Sequence, residues 1–434
     1  MALSRKPLKG MRELFPGEKR VEDYIVGQLS KAGSAYGFEA YEAPVLEPLD
    51  LFLAKSGREL AKDQSYNFTD KGGRNLIMRP ELTPSTARMV AAAGELIFPV
   101  KWMSFPLCYR YENPQRGRAR EFLQFNLDIL GADGLEAELE IFLVLQRIMD
   151  GFSAVPGQYA IRYSSRKLAS GVLLKYGFTP LEMQNAFAVI DKKDRMPLEK
   201  WEKWLQEEIA DSSKAEALLK FASCGTLNSS WLSKLMADDP AYSELLKFSN
   251  MLDRAGVDSA SFEAGVVRGL DYYTGIVFEV LDTGGENRRS ICGGGRYDNL
   301  VGMFSNQNVS GVGFGLGILT LKLFLQTYGL IPDDLALSHP ADIFLAVCTD
   351  EQREFALNLA ESLRDADISV EMDLSRKNLS KQFKIADRKA IRYVVAIGPD
   401  EVDSGNVTIR DMNTGESVEV DIPHIRDALS MMEN

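Results

Sequence analysis

The sequence predicts two parts, a long α+β domain interrupted by a helical insertion and a compact α/β domain near the C-terminus. Three observations carry that expectation. Strand-like segments flank residues 165–255, a stretch whose apolar residues fall at helical spacing. The segment GLIPDDLALSHP, rich in Pro and Asp, reads as a linker over 329–340. Beyond it, strands and helices alternate across roughly 95 residues, a normal domain size. At 434 residues the chain exceeds one ordinary core, so two or three domains are expected, with the main boundaries at 1–328 and 341–434.

The elements follow in order. Residues 17–36 place Val21, Tyr24, Ile25 and Leu29 at helical spacing before Gly37, which predicts an amphipathic helix. FEAYEAPVLEP reads as extended chain. From about Leu76 to Gly131 the pattern is strand-like, broken by an arginine-rich loop. Within the insertion, Trp201, Trp204, Leu205 and Ile209 form one stripe, read as core packing rather than a ligand box. Strands return at YYTGIVFEVL, turn at Gly284-Gly285 and continue into RSICGGGRYDNLV, with a helix from Gly317 to about Tyr328. In the last part ADIFLAVC reads as a buried strand, and the next helix carries Phe355, Leu359 and Leu363 on one face. SVEMDL is a strand, NLSKQFKIADRKA a helix and YVVAIG a strand. A hairpin, VTIRDM–NTGE–SVEV, and a closing helix complete the chain.

Composition narrows the function classes. With 45% apolar and 26% charged residues the chain reads as soluble and globular, without low-complexity tracts. No apolar run approaches the ~20 residues that span a bilayer, and MALSRKPLKG has no signal-peptide core, so the cytoplasm is the expected compartment and no membrane partner is expected. A formal charge of −12 argues against non-specific coating of nucleic acid, while leaving a specific RNA partner open. Cys108, Cys224, Cys292 and Cys348 have no metal spacing and read as buried free thiols. The only histidines, His339 and His424, lie near or beyond the domain boundary. Chemistry therefore falls to Arg, Lys, Asp, Glu and a bound Mg²⁺, with no metal site from a protein motif.

Four segments hold most of the chemical information: MRPELTPSTARM (78–89), YRYENPQRGRAREFLQFNLDILG (109–131), RGLDYYTGIVFE (268–279) and ICGGGRYDNLV (291–301) with GVGFGLG (311–317). In the second, Arg110, Arg116, Arg118 and Arg120 fall within eleven residues, interleaved with Glu112 and Glu121. Arginine grips phosphate or carboxylate with a fixed fork of donors. Strand alternation puts Arg110 and Glu112 on one face, a pairing that could hold the phosphate and amine ends of ATP. A solvated salt-bridge ladder fits the same spacing. Arg268 precedes Tyr272 and Tyr273, which Gly269 and Gly275 bracket, allowing close backbone approach to a ligand. The tyrosines fit either a polar ring ligand or an aromatic core pair. Three glycines in the fourth segment are by themselves a weak pocket signal.

Together these segments resemble the class II aminoacyl-tRNA synthetases, and among them the histidyl-tRNA synthetase family. RPELTP resembles that family's amino-acid-binding turn, YRYE…GRAREFLQFNLDILG its motif 2, and RGLDYYTG its distinguishing signature. Pro44 in YEAPVLEP matches the motif 1 proline of the dimer interface. SKQFKIADRKA and YVVAIGPDE resemble the family's anticodon-binding domain. The resemblance runs from about Lys9 to the end of the chain. It implies a catalytic domain over 1–328 built on an antiparallel sheet and an anticodon-binding-like α/β domain over 341–434.

The implied activity is ATP-dependent ligation of L-histidine to tRNA(His) through a histidyl-adenylate, in a homodimer, with Mg²⁺ accompanying ATP. Arg110 and Arg268 would flank the α-phosphate. Glu112 would accept from the adenine amine, Phe122 would stack on adenine, and Arg118 would grip the outer phosphates. Glu81, Thr83 and Gln124 would bind the histidine ammonium, while Asp128 and Tyr273, beside Tyr272, would bond the imidazole. Arg376, Lys377, Lys381, Lys384 and Arg388, continued by Lys389 and Arg392, would form a tRNA-docking strip; an ordinary solvated helix face fits them too.

The chain departs from the family in two places. Motif 3 usually ends in Gly-x-Glu-Arg, but here Leu319 and Thr320 stand in the last two positions, and Ile318 where some branches carry an acidic residue. Asn113 replaces the usual arginine of the acceptor-end loop. The weakened motif 3 keeps open an alternative, a non-catalytic histidine-sensing paralogue such as the regulatory subunit of ATP phosphoribosyltransferase. Such paralogues generally lack the C-terminal domain.

Overall fold

The computed structural model describes residues 4–53, 63–193, 196–268, 272–285, 287, 289–305 and 308–432. Its contacts divide the chain into two compact units. One comprises Met1–Leu14 with Glu22–Ile331, the other Phe15–Val21 with Pro332–Asn434. The sequence expectation kept 15–21 with the first part. Helical periodicity tells what a helix buries, not which unit it joins.

The chain's first helix is α1 (Pro16–Ser34), whose Val21, Ile25 and Leu29 are buried one turn apart and whose residues from Glu22 on belong to the first unit. Then come β1 (Glu39–Ala40), β2 (Leu46–Pro48), α2 (Leu49–Leu53), β3 (Tyr66–Thr69) and β4 (Asn75–Met78). A helix follows where strands were expected, α3 (Thr83–Ala92). Pro84 presets its first turn, and the run Ala87, Arg88, Met89 consists of strong helix formers. Next are β5 (Val100–Ser104), β6 (Leu107–Tyr109), β7 (Glu121–Leu130) and α4 (Glu136–Gly151).

The insertion starts after β8 (Tyr159–Ser165) with α5 (Arg166–Lys175), α6 (Pro180–Asp191), α7 (Leu198–Glu208), α8 (Ser212–Ala222), α9 (Ser230–Leu235) and α10 (Pro240–Arg254). Three members of its expected core stripe, Trp201, Leu205 and Ile209, are buried, and the Trp201 indole donates to the Val189 carbonyl at 2.8 Å; the fourth, Trp204, is half-buried and its indole donates to Glu208 at 3.0 Å. The unit closes with β9 (Ala260–Phe262), β10 (Ile276–Asp282), β11 (Cys292–Tyr297), β12 (Gly311–Gly317) and α11 (Ile318–Thr327).

Among the described residues, nine strands make one sheet in the order β1-β5-β7-β12-β11-β10-β8-β9, with β6 also on β7. Its centre is antiparallel, as expected; the outer pairs β1·β5 and β8·β9 are parallel. Alternation along the strands sorts the two faces. Phe278 of β10 meets Phe142 of α4 at 5.0 Å, and Arg296 of β11 grips Glu138 of α4 through two bonds of 2.5 Å. That face is the helix-covered core. Gln124, Asn126 and Asp128 of β7, with Val277 and Glu279 of β10, point the other way.

The second unit contains β13 (Ile343–Val347), α12 (Arg353–Asp365), β14 (Val370–Met372), α13 (Leu379–Arg388), β15 (Tyr393–Ile397), α14 (Pro399–Ser404), β16 (Asn406–Asp411), β17 (Ser417–Asp421) and α15 (Ile425–Met432). Its sheet runs β14-β13-β15-β16-β17, parallel on both sides of β13 and antiparallel beyond β15. Ile343, Leu345 and Val347 pack with Leu359, Leu363 and Leu429, while Phe344 and Ala346 pack with Ala386. Burial on both faces explains why ADIFLAVC reads as a continuous apolar run. The short α14 was not anticipated; Glu401 caps it by accepting from the Gly398 amide at 2.8 Å.

One cysteine corrects the expectation of four buried thiols. Cys108, Cys224 and Cys292 are buried, but Cys348 is exposed because it follows β13 just as the chain leaves the core. Among the described residues, no helix is long and apolar enough to cross a membrane.

Candidate active site

The open face of the central strands is floored by glycine. Gln124, Asn126 and Asp128 of β7 stand opposite Gly317, Gly315 and Gly313 of β12. The next strand, β11, places Gly293 and Gly295 opposite Gly315 and Gly313. A Cβ on Gly313 would strike the Asp128 carboxylate, one on Gly315 the Gln124 amide, and one on Gly293 the Arg268 guanidinium. Each polar side chain therefore lies flat on a neighbour's backbone, an approach that only glycine permits. The weak glycine signal of the sequence is the floor of the site.

Above that floor is a cavity of about 60 Å³, a volume suited to an amino-acid side chain rather than a nucleotide. Eight sequence-predicted residues line it together: Glu81, Thr83, Arg110, Gln124, Asp128, Arg268, Tyr272 and Tyr273. Glu81 and Thr83 arrive from the turn that starts α3, and the Tyr272 hydroxyl donates to Glu81 at 2.9 Å. Asn126 and Tyr297 line the cavity too and escaped the sequence reading. The Tyr297 hydroxyl donates to Asp128 Oδ1 at 2.5 Å. Its signal was the position after GGGR, which strand alternation puts on the same face as the flooring glycines.

Asp128 is the electrostatic centre. It is 1% exposed, and its Oδ2 has no hydrogen-bond partner among the described residues. Burial raises its pKa to about 7, against the lowering pull of the Tyr297 hydrogen bond. Tyr273 is pushed up to about 12, chiefly by burial and despite the nearby Arg268, so its phenol keeps its proton. The cavity thus brings together the Asp128 Oδ2, without a hydrogen-bond partner among the described residues, and the neutral Tyr273 hydroxyl, a donor–acceptor pair that suits a ligand ring with both a donor and an acceptor nitrogen.

The cations around the cavity are engaged. Arg268 sits at φ +57°, a left-handed conformation uncommon outside glycine, and pairs with Glu279 of β10. Burial opposes its charge, but Glu279 outweighs that and keeps the guanidinium protonated. Arg110 donates through Nε to the Pro80 carbonyl at 3.0 Å and lies 5.2 Å from the Phe122 ring centroid. Glu112 and Arg118 hold each other at 2.5 Å. Of the expected ATP set, only Arg110 reaches the cavity; Glu112, Arg118 and Phe122 lie outside its lining. Gly275 backs onto the Arg296 side chain, with 3.1 Å between its would-be Cβ and Arg296 Cβ, rather than onto the cavity. Gly269 falls outside the described residues.

Known proteins resemble this chain over most of its length. A family model described as histidyl-tRNA synthetase matches residues 10–321, and one described as anticodon binding domain matches 342–431. The chain belongs to the histidyl-tRNA synthetase family. It is 35% identical over 414 residues to a histidine–tRNA ligase of Leptospira biflexa, covering 94% of each chain. It is 34% identical over 417 residues to the histidine–tRNA ligase of Thermoplasma volcanium, again with 94% of each chain covered. The fold matches the histidyl-tRNA synthetase of Nostoc sp. PCC 7120 with a TM-score of 0.81 and 24% identity, over 99% of this chain and 100% of that one.

Against the family pattern, the motif 3 position is occupied by a hydroxyl. Thr320, in the first turn of α11, donates to the carbonyls of Gly317 at 2.9 Å and Ile291 at 3.3 Å. It ties the helix start to the strand beside it and brings no positive charge.

The basic strip divides in two. Lys389 pairs with Glu371, Arg392 with Asp411 at 2.9 Å and Arg376 with Asp350 at 3.4 Å. Lys377, Lys381, Lys384 and Arg388 are exposed, without an ion pair among the described residues. Lys381, Lys384 and Arg388 share one face of α13.

Proposed function

We propose that this chain is a histidine–tRNA ligase whose cavity receives L-histidine, with ATP bound on the arginine-bearing side. The observation that carries the reading is Asp128 Oδ2, a buried carboxylate oxygen without a hydrogen-bond partner among the described residues, in a glycine-floored cavity that Tyr273 also lines. One ring nitrogen of histidine donates to Asp128 and the other accepts from Tyr273. An apolar ring of the same size would leave both unsatisfied. Glu81, Thr83 and Gln124 take the ammonium group.

The substrate carboxylate then attacks the ATP α-phosphorus. Arg110 and Arg268 stabilise the charge that builds there, and pyrophosphate leaves with its Mg²⁺. Glu112 and Phe122 hold adenine, and Arg118 turns to the outer phosphates once Glu112 meets the adenine amine. In the second step the terminal ribose hydroxyl of tRNA(His) attacks the adenylate carbonyl and AMP departs.

Lys377, Lys381, Lys384 and Arg388 form the tRNA-facing surface. Val45, Leu46 and Phe68, exposed around the three-stranded sheet β2-β4-β3 beside Pro44, support a homodimer contact there. The expected setting is the cytoplasm. The Leptospira and Thermoplasma relatives, each matched over 94% of this chain, are named histidine–tRNA ligases, which disfavours the histidine-sensing alternative.

Histidine-dependent ATP–pyrophosphate exchange tests the reading. Histidine supports exchange and the other amino acids do not; no exchange at saturating substrates overturns it. Charge reversal at Lys381 and Lys384 weakens tRNA binding and leaves exchange unchanged; unchanged tRNA binding removes that surface from the proposal.

A further inference from the structure

We propose that Arg289, in the loop before β11, supplies the cation for the outer ATP phosphates that α11 lacks in this chain. The inference rests on the ligase reading and names a residue outside the family motifs.

Arg289 is packed between the two segments where that charge is needed. Its Cδ lies 3.3 Å from the point where a Cβ on Gly117 would stand. Thr320 Cγ2 and Leu323 Cδ1 of α11 lie 3.6 Å from the same point. Gly117 belongs to the arginine-rich loop and sits at φ +74°, so the loop turns over the Arg289 stem in a conformation that favours glycine, with only a tight fit left for a Cβ. Thr320, in the position that lacks the arginine, donates to the carbonyl of Ile291, two residues after Arg289. The helix start and the loop carrying Arg289 are thus fastened together, and the charge absent from one stands on the other.

Arg289 is also free to act. It is half-buried, and no hydrogen bond or ion pair is found for it among the described residues. Its neighbours in the arginine-rich loop are all engaged: Arg110 with Pro80, Arg118 with Glu112, Arg120 with the Glu112 carbonyl, and Arg116 with partners of its own. A half-buried guanidinium without a counter-charge is costly, and in a chain of net charge −12 a partner would be easy to provide. The open valence suits an anion that comes and goes. Gly293, four residues further on, leaves room for the Arg268 guanidinium, so the start of β11 follows one arginine in the chain and backs a second.

The test compares ATP with AMP, which lacks the outer phosphates. In Arg289→Ala and in Arg289→Gln, which keeps much of the stem on Gly117, the ATP KM of exchange rises about tenfold or more. The histidine KM stays within about twofold, and AMP binding measured by calorimetry is unchanged. An unaltered ATP KM in either variant overturns the assignment, and so does an equal loss of ATP and AMP affinity. Absence of exchange in the unmodified protein would count against the ligase reading instead, and the ATP-to-AMP binding ratio would still decide the role of Arg289.

Discussion

Gln124 and Asp128 lie against glycine backbone on β12, and neither can shift far without a strand moving. At the other side of the site, Arg118 and Glu112 hold each other within a loop, and Arg268 holds Glu279. The first region is assembled before any ligand arrives, so a ligand of the right shape meets little reorganisation. The second region has its charges neutralised in pairs, and a triphosphate must replace those partners. Pairing keeps like charges from repelling one another in the empty site, at the expense of part of the binding energy. The contrast predicts that changes on the glycine floor act on histidine, and changes among the arginines act on ATP and the chemical step.

The largest effect is expected at Arg268. Arg268→Ala removes a charge-stabilising donor from the reacting phosphorus and slows adenylation by roughly 10²-fold or more. Single-turnover adenylate formation measures it, and an unchanged rate would place Arg268 outside the chemistry. Gly313→Ala follows. A Cβ there comes within 2.5 Å of the Leu127 carbonyl and against the Asp128 carboxylate, so β12 must part from β7. The histidine KM rises about tenfold or more, stability falls by about 1–3 kcal/mol, and the ATP KM stays near its original value. If both KM values rise together, the two regions are one.

The smallest effect, and the sharpest in form, concerns pH. Folding raises the Asp128 pKa from its ordinary 3.8 to about 7, so the empty folded protein holds this proton more tightly than the unfolded chain. The group's contribution is best below pH 4, declines as pH rises, and levels off above about pH 7. Asp128→Asn therefore raises the melting temperature most above pH 7, and the gain fades towards pH 4. A gain independent of pH would show that burial of this carboxylate is not its source.

Much of this architecture is legible in the sequence wherever the signal is local. Val21, Ile25 and Leu29 announce α1, and the doubly buried β13 shows as an apolar run. The eight cavity residues lie in segments whose residue types already suggest a polar ligand. What stays hidden depends on register between distant strands. Tyr297 meets Asp128 only because β11, β12 and β7 align as they do; its place after GGGR gives its face of the strand but not its partner. The partners of the arginines are equally non-local, since Glu279 lies beyond the loop that carries Arg268. The turn MRPELTP conceals α3 because a proline-led helix start looks locally like a break between strands.

The glycine floor also constrains how this pocket can change over generations. Gly293, Gly313 and Gly315 have no smaller replacement, so every substitution there can only fill the space from below. Enlargement is closed off, and drift at the floor is a ratchet towards a smaller ligand or none. A change of preference has to come from the walls, at Asp128, Tyr273 and Tyr297, where side chains can be exchanged without parting the sheet. The strands that make the site rigid thereby confine its evolution to the side chains that wall it.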